Sequence, residues 1–350
     1  MKTILFLDKV FLKKKPGVLR GVELFNLHLL RDLLRVGCPV LVAADRSWAE
    51  EIRSFAHPYK PELLLLQVLG SEFLNSLAAA FGLWRRKVDV LLLGNVGKGI
   101  ILLARRLWWM RVFTKCVLIA HREAFPHFVH VFRRFPGHAV CVNEKIAEPF
   151  RAAGYSSVQV DYGIFDAERF YPQERKTADA VHFCVLGMLD NAWKGADTAV
   201  EAFRLLPAGA QAKCVLHLAS FTSPPAFPEK NIIAYAWMPS EKIPEWLRTM
   251  DVMLCPSRDE EVMRETFSQA VVQGMLTGLP VIASDRPIFV EKLQQGGGLV
   301  FHDAAELARH METLIGDPGL RARLGRQGRQ TAQERYVWNT ERFVHRYIEG

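Results

Sequence analysis

Glu265 and Gln273 give a carboxylate and, eight residues later, a carboxamide. Between and around them Phe267, Ala270, Val271 and Met275 repeat at helical spacing, which predicts a helix over Thr266–Thr277. Eight residues are about two turns, so both side chains lie on roughly the same side. The first amides of a helix lack intrahelical acceptors. Thr266, Phe267 and Ser268 therefore offer N–H groups to an anion, beside a carboxylate that accepts hydrogen bonds. An amide at 273 accepts at one atom and donates at the other. Lys194 brings a cation to the opening of a helix predicted over Gly195–Leu205. His121 directly follows the apolar run Cys116–Ala120, with Arg122 and Glu123 beside it. The basic, glycine-bearing stretch Lys13–Gly21 feeds a helix N-terminus, a setting for an anion. Gly94–Gly99 has the look of a phosphate loop, but its spacing is wrong and no hydroxyl follows Lys98.

Two alternating sets of elements must position these groups. In the first half, strands are predicted at Thr3–Leu7, Pro39–Ala43, Leu63–Leu69, Val90–Leu93, Cys116–Ala120 and Ala139–Val142. Helices are predicted between them at Gly21–Val36, Glu72–Trp84 and Gly99–Arg111. In the second half, strands fall at Val181–Leu186, Cys214–Leu218, Ile232–Tyr235, Val252–Cys255, Leu279–Ala283 and Gly298–Phe301. Helices are predicted at Gly195–Leu205, Ser240–Met250, Thr266–Thr277 and Ala304–Leu314, with a charged helical tail over Pro318–Ile348. Alternation of this kind implies parallel, doubly wound sheets, whose ligands sit at the carboxyl ends of the strands. The polar run at 172–180 reads as a linker.

The stretch Asp251–Ser284 resembles the signature of retaining GT-B glycosyltransferases of family 4, the group 1 glycosyl transferases. The matching residues are Pro256-Ser257, Glu265, Gly274-Met275 and Gly278-Leu279-Pro280-Val281-Ile282-Ala283-Ser284. Gln273 stands where the family has a second acid, and the long loop leaves Glu260 and Glu261 as competitors of Glu265. Gly187-Met188-Leu189 followed by Trp193-Lys194-Gly195 resembles the family's Gly-Arg-Leu…Lys-Gly, with Met188 in place of the arginine. Arg20-Gly21-Val22-Glu23 resembles Gly-Gly-x-Glu.

The resemblance implies a GT-B fold: two Rossmann-like, doubly wound parallel-sheet domains facing a central cleft. The acceptor-side domain would be 1–162, with the helix 336–350 packing back on it. The nucleotide-sugar domain would be 163–335. Glu265 would accept from the donor sugar, Lys194 would neutralise its diphosphate, and His121 would contact the sugar. Gly21, Arg258, Arg264, Thr266, Phe267, Ser268 and Gln273 would complete the donor site, with Arg258 or Arg264 replacing the missing arginine. The activity expected is retaining transfer of a hexose-type sugar from a UDP- or GDP-sugar to a glycan or lipid-linked acceptor, in cell-surface polysaccharide or lipopolysaccharide synthesis. A nucleotide-sugar epimerase and a non-catalytic nucleotide-sugar-binding protein are the alternatives.

With 350 residues, half of them hydrophobic, the chain can bury two full cores. The six cysteines are scattered without a Cys-x-x-Cys pair, as expected of reduced core thiols in a cytoplasmic protein. No signal peptide and no membrane span is expected. Neither an Asp-x-Asp motif nor a His/Cys cluster suggests a metal, and no cofactor is expected beyond the nucleotide-sugar substrate. Residues 1–160 hold 24 Lys/Arg against 12 Asp/Glu, whereas the remainder holds 21 against 25. The basic half suits an anionic acceptor or the inner membrane face. The basic-aromatic run Arg105–Arg111 could lie on that surface. No base-stacking motif or recognition helix suggests nucleic acid.

Overall fold

The computed structural model describes all residues except 14–20, 67–81, 85, 95, 122–128, 130–132, 156, 174–179 and 259–264, and the side chain of Lys98. The predicted helix Glu72–Trp84, Arg20, Arg122, Glu123, Glu260, Glu261 and Arg264 thus fall wholly or mostly outside the described residues. The chain divides into two compact units, Met1–Phe165 with Trp338–Gly350, and Asp166–Val337.

Unit 1 is built on seven parallel strands: β1 (Ile4–Leu7), β2 (Val40–Asp45), β3 (Glu62–Leu66), β4 (Val90–Leu93), β5 (Lys115–Ala120), β6 (Gly137–Cys141) and β7 (Val158–Val160). Their spatial order is β3-β2-β1-β4-β5-β6-β7. Successive side chains point to opposite faces, so Leu5 and Leu7 enter one core while Ile4 and Phe6 enter the other. Helices α3 (Lys98–Trp109) and α4 (Glu144–Ala152) cover the first face with Leu103, Leu107, Ile146 and Phe150. Helices α1 (Gly21–Arg35) and α2 (Ala49–Ala56) cover the second with Phe25, Leu29, Leu33 and Ile52. The C-terminal segment completes that layer with Trp338, Phe343, Tyr347 and Ile348. Covering both faces accounts for strands that read as unbroken apolar runs.

Unit 2 repeats the plan with six parallel strands: β8 (Val181–Leu186), β9 (Cys214–Phe221), β10 (Ile232–Ala236), β11 (Val252–Cys255), β12 (Val281–Ser284) and β13 (Gly298–Phe301). The order is β10-β9-β8-β11-β12-β13. Its helices are α5 (Ala196–Leu205), α6 (Ala208–Gln211), α7 (Ile243–Leu247), α8 (Gln269–Leu276), α9 (Pro287–Leu293), α10 (Ala304–Gly316) and α11 (Pro318–Arg335). Gly274 lets α8 lie directly on the sheet, because a β-carbon there would press on Met253 of β11.

Three elements differ from expectation. The helix expected from Thr266 starts at Gln269, because Ser268 adopts a left-handed conformation (φ 56°, ψ 76°) that no helix continues through. The helix expected at Ser240–Met250 shrinks to α7, which starts one residue before Pro244, a proline in its first turn. The long tail breaks at Tyr336–Asn339 and resumes as α12 (Thr340–Phe343), capped by Asn339, and a π-helical turn at Val344–Glu349. Among the described residues no helix is long and apolar enough to cross a membrane.

Candidate active site

In each sheet the connection direction reverses between two neighbouring strands, β1 and β4 in unit 1 and β8 and β11 in unit 2. Loops leaving the carboxyl ends of such a pair diverge and leave room for a ligand. In unit 2 the two loops are Gly187–Gly195, after β8, and the stretch from Pro256 to Ser268, after β11.

The first loop ends in a 3₁₀ turn, Ala192–Lys194, closed by Gly195 at φ 70°, ψ 28°. Gly195 packs against the second loop, where a β-carbon would overlap the carbonyl of Pro256. The contact is tied further by the Arg258 amide donating to the Trp193 carbonyl at 2.7 Å. Through this apposition the Lys194 ammonium reaches Glu265 and pairs with its Oε1. The Ser257 hydroxyl donates to the same oxygen at 3.2 Å. Ser257 is held in turn by Ser284, whose hydroxyl donates to its carbonyl at 2.6 Å. The Lys194 ammonium also lies 4.4 Å from the centroid of the Trp193 ring. Both charged side chains are largely withdrawn from solvent, 17% and 10% exposed, so their interaction is screened less than a surface pair. Beneath them burial pushes the Cys255 thiol well up, with Glu265 adding to the effect and Lys194 opposing it.

The remaining expected residues fall into place around this pair, or elsewhere. The Arg258 guanidinium donates to the Ala192 carbonyl and to both oxygens of Asp197, each at 2.8 Å. It braces the turn that carries Lys194. Thr266, Phe267 and Ser268 precede α8 rather than forming its first turn, and Phe267 is buried with its ring edge-on to Tyr336. Gln273 is half-buried in the second turn of α8. Gly21 and His121 belong to unit 1. Gly21 is the exposed first residue of α1. His121, at the end of β5, is buried with its ring edge-on to Phe25 at 5.0 Å and to Tyr162 at 5.7 Å.

Three side chains were not singled out by the sequence reading. Ser257 and Trp193 entered it only as parts of motifs. Lys292, on α9, is 1% exposed and lies beside Phe267. Its ammonium follows an acid, Glu291, in an otherwise ordinary amphipathic run, and that pattern carries no sign of burial. Among the described residues no group of three His, Cys, Asp or Glu side chains is placed to hold a metal ion.

A carboxylate gripped by an ammonium and a hydroxyl, where two strand ends diverge, is suited to a ligand that joins hydroxyls to anionic groups. Part of the chain, and the fold as a whole, are similar to known proteins. Residues 180–317 match the family described as Glycosyl transferases group 1. The fold is GT-B. A glycosyltransferase from Rickettsia africae superposes with a TM-score of 0.76, at 13% identity, over 99% of this chain and 98% of its own. Anabaena HepE, solved in complex with UDP-glucose, superposes with a TM-score of 0.73 at 17% identity, over 100% and 99%. A D-inositol 3-phosphate glycosyltransferase of Streptomyces bingchenggensis is 30% identical over 102 residues, 28% of this chain. That segment spans 21% of the Streptomyces protein's length.

Proposed function

We propose that the protein is a retaining glycosyltransferase that moves a hexose-type sugar from a UDP- or GDP-sugar to a glycan or lipid-linked acceptor. The observation that carries this is the pairing of Lys194 with Glu265 at the β8/β11 switch point, inside the segment that matches group 1 glycosyl transferases. The likeness of the fold to HepE, solved with UDP-glucose, supports a nucleotide-sugar and makes UDP-glucose the first donor to try. On this reading Glu265 turns from Lys194 to the sugar hydroxyls when donor binds. The Lys194 ammonium then meets the diphosphate. As the glycosidic bond lengthens, negative charge grows on the departing phosphate, and a cation already in place stabilises it without reorganisation. The acceptor hydroxyl attacks from the face the diphosphate leaves, so configuration is retained. Neither metal nor cofactor takes part.

Incubation with UDP-glucose and candidate acceptors, followed by UDP release and the anomeric configuration of the product, tests the proposal. Release that survives EDTA and gives an α-linked product is expected. A β-linked product would overturn retention, and a free epimerised nucleotide-sugar would make the enzyme an epimerase.

The place of action we infer is the inner membrane face, reached without a span. Leu102, Arg105 and Trp109 lie on one exposed face of α3, Trp109 being 89% exposed, and the helix contains no acid. Exposed tryptophan among arginines suits an anionic headgroup layer. Sedimentation with vesicles containing anionic lipid should retain the protein, and Trp109→Ala should release much of it. Equal binding to neutral vesicles would contradict the electrostatic part.

A further inference from the structure

Lys292 is buried where a methionine or leucine would fill the same space without a charge. Its ammonium lies 4.6 Å from the centroid of the Phe267 ring and 4.9 Å from that of Tyr336. Those two rings meet edge-on at 6.0 Å, so the cation is held between two aromatic walls from separate elements. No carboxylate or carbonyl among the described residues accepts a hydrogen bond from it. Phe267 lies between Glu265, which pairs with Lys194, and Ser268, whose left-handed backbone turns the chain into α8. A serine stays in that conformation only when its surroundings fix it. The cage grips the residue immediately before it.

We propose that Lys292 is a positioning residue of the donor site. Its protonated side chain, attracted by the Phe267 and Tyr336 rings, fixes the strained Phe267-Ser268 turn and through it the orientation of Glu265. Lys292 does not touch the substrate. That the turn serves sugar transfer rests on the function proposed above; that the cage holds the turn does not. Burial pulls the Lys292 ammonium down to about 8, with Glu291 on its own helix and Glu265 in the lead-in to α8 opposing the fall. From α11 and its end come Arg335 and the Tyr336 hydroxyl, which burial keeps protonated to higher pH than usual.

Hydrogen–deuterium exchange of the full chain over Glu265–Leu276, relative to the core strands β8 and β11, tests this with Lys292→Met and Lys292→Arg. In the wild type this segment should be protected at pH 7. At pH 7 Lys292→Met should be unprotected, and Lys292→Arg should stay protected. With UDP-glucose, Lys292→Met should lower kcat at least tenfold with little change in KM, and Lys292→Arg should restore most of it. Wild-type protection in Lys292→Met at pH 7 would overturn the proposal. So would wild-type protection in Phe267→Leu, which removes one wall of the cage and keeps the test open if Lys292→Met fails to fold. If exchange behaves as expected but no nucleotide-sugar turns over, the cage stands and the glycosyltransferase function falls.

Discussion

Lys194 and Glu265 satisfy one another, so changing either leaves the other largely buried and unpaired. Glu265→Gln keeps the shape and an acceptor for Ser257 but removes the negative charge. A drop in kcat of about 10²–10³ is expected, the size seen when a pre-positioned polar group is lost from a reacting centre. UDP release with saturating UDP-glucose measures it. Lys292 makes a separate prediction about stability, whose sign follows from its titration. Its amine binds a proton less readily in the folded chain, at about 8, than the ordinary 10.5. Between those values the unfolded chain holds more protons, so wild-type stability rises with pH there, and the whole cost of the buried charge is present below 8. Lys292→Met should therefore raise the unfolding free energy at pH 7, by on the order of 3 kcal/mol before the lost ring contacts are deducted. The gain should shrink as pH climbs from 8 toward 10.5. Denaturant melts at pH 7 and pH 10 check both parts, and a loss of stability at pH 7 would contradict them.

Among the elements, the loops after β8 and β11 matter most, because Gly195 is where they touch. Gly195→Ala adds a β-carbon against the Pro256 carbonyl at a left-handed position, so two penalties coincide. A loss of about 2–4 kcal/mol and weaker nucleotide-sugar binding are expected, and calorimetry reads both. How much of this was legible in the sequence differs by element. The strands were plain, because a parallel strand covered on both faces must be apolar nearly throughout, as Val252–Cys255 is and as Val181–Leu186 is apart from His182. The start of α8 was not. Helical spacing runs back through Phe267, but packing of that ring against Lys292 and Tyr336 overrides it and turns Ser268 left-handed. The pairing of Arg258 with Asp197 was hidden for a similar reason: Asp197 lies on α5, and no local pattern links the two. The Lys292 cage draws on α9, the lead-in to α8 and the end of α11, so no window of sequence contains it.

For the whole molecule, the return of Trp338–Gly350 to unit 1 decides stability. Trp338, Phe343, Tyr347 and Ile348 are buried there, the Tyr347 hydroxyl donates to Asp161 at 3.1 Å, and Arg342 pairs with the same carboxylate at 2.7 Å. Four large apolar side chains at about 1.5–3 kcal/mol each approach the total stability of a typical domain. A chain ending at Val337 should thus leave unit 1 unfolded or aggregated while unit 2 still melts cooperatively, as two-wavelength thermal melts would show. The six cysteines are all buried and free, and burial pushes thiols such as Cys141 (to about 12) and Cys214 (to about 11) away from reactivity. Thiol titration should find almost none reactive until the chain unfolds.

The central claim is that Lys194 and Glu265 form a nucleotide-sugar site. It is tested most directly by the melting temperature of the full chain against UDP-, GDP-, ADP- and TDP-sugars, with Lys194→Ala alongside. A ligand that binds only the folded chain raises the midpoint by mass action. One nucleotide class should stabilise the wild type by several degrees at millimolar concentration, and Lys194→Ala should abolish the shift. No shift with any nucleotide-sugar, or an equal shift in Lys194→Ala, would contradict the account.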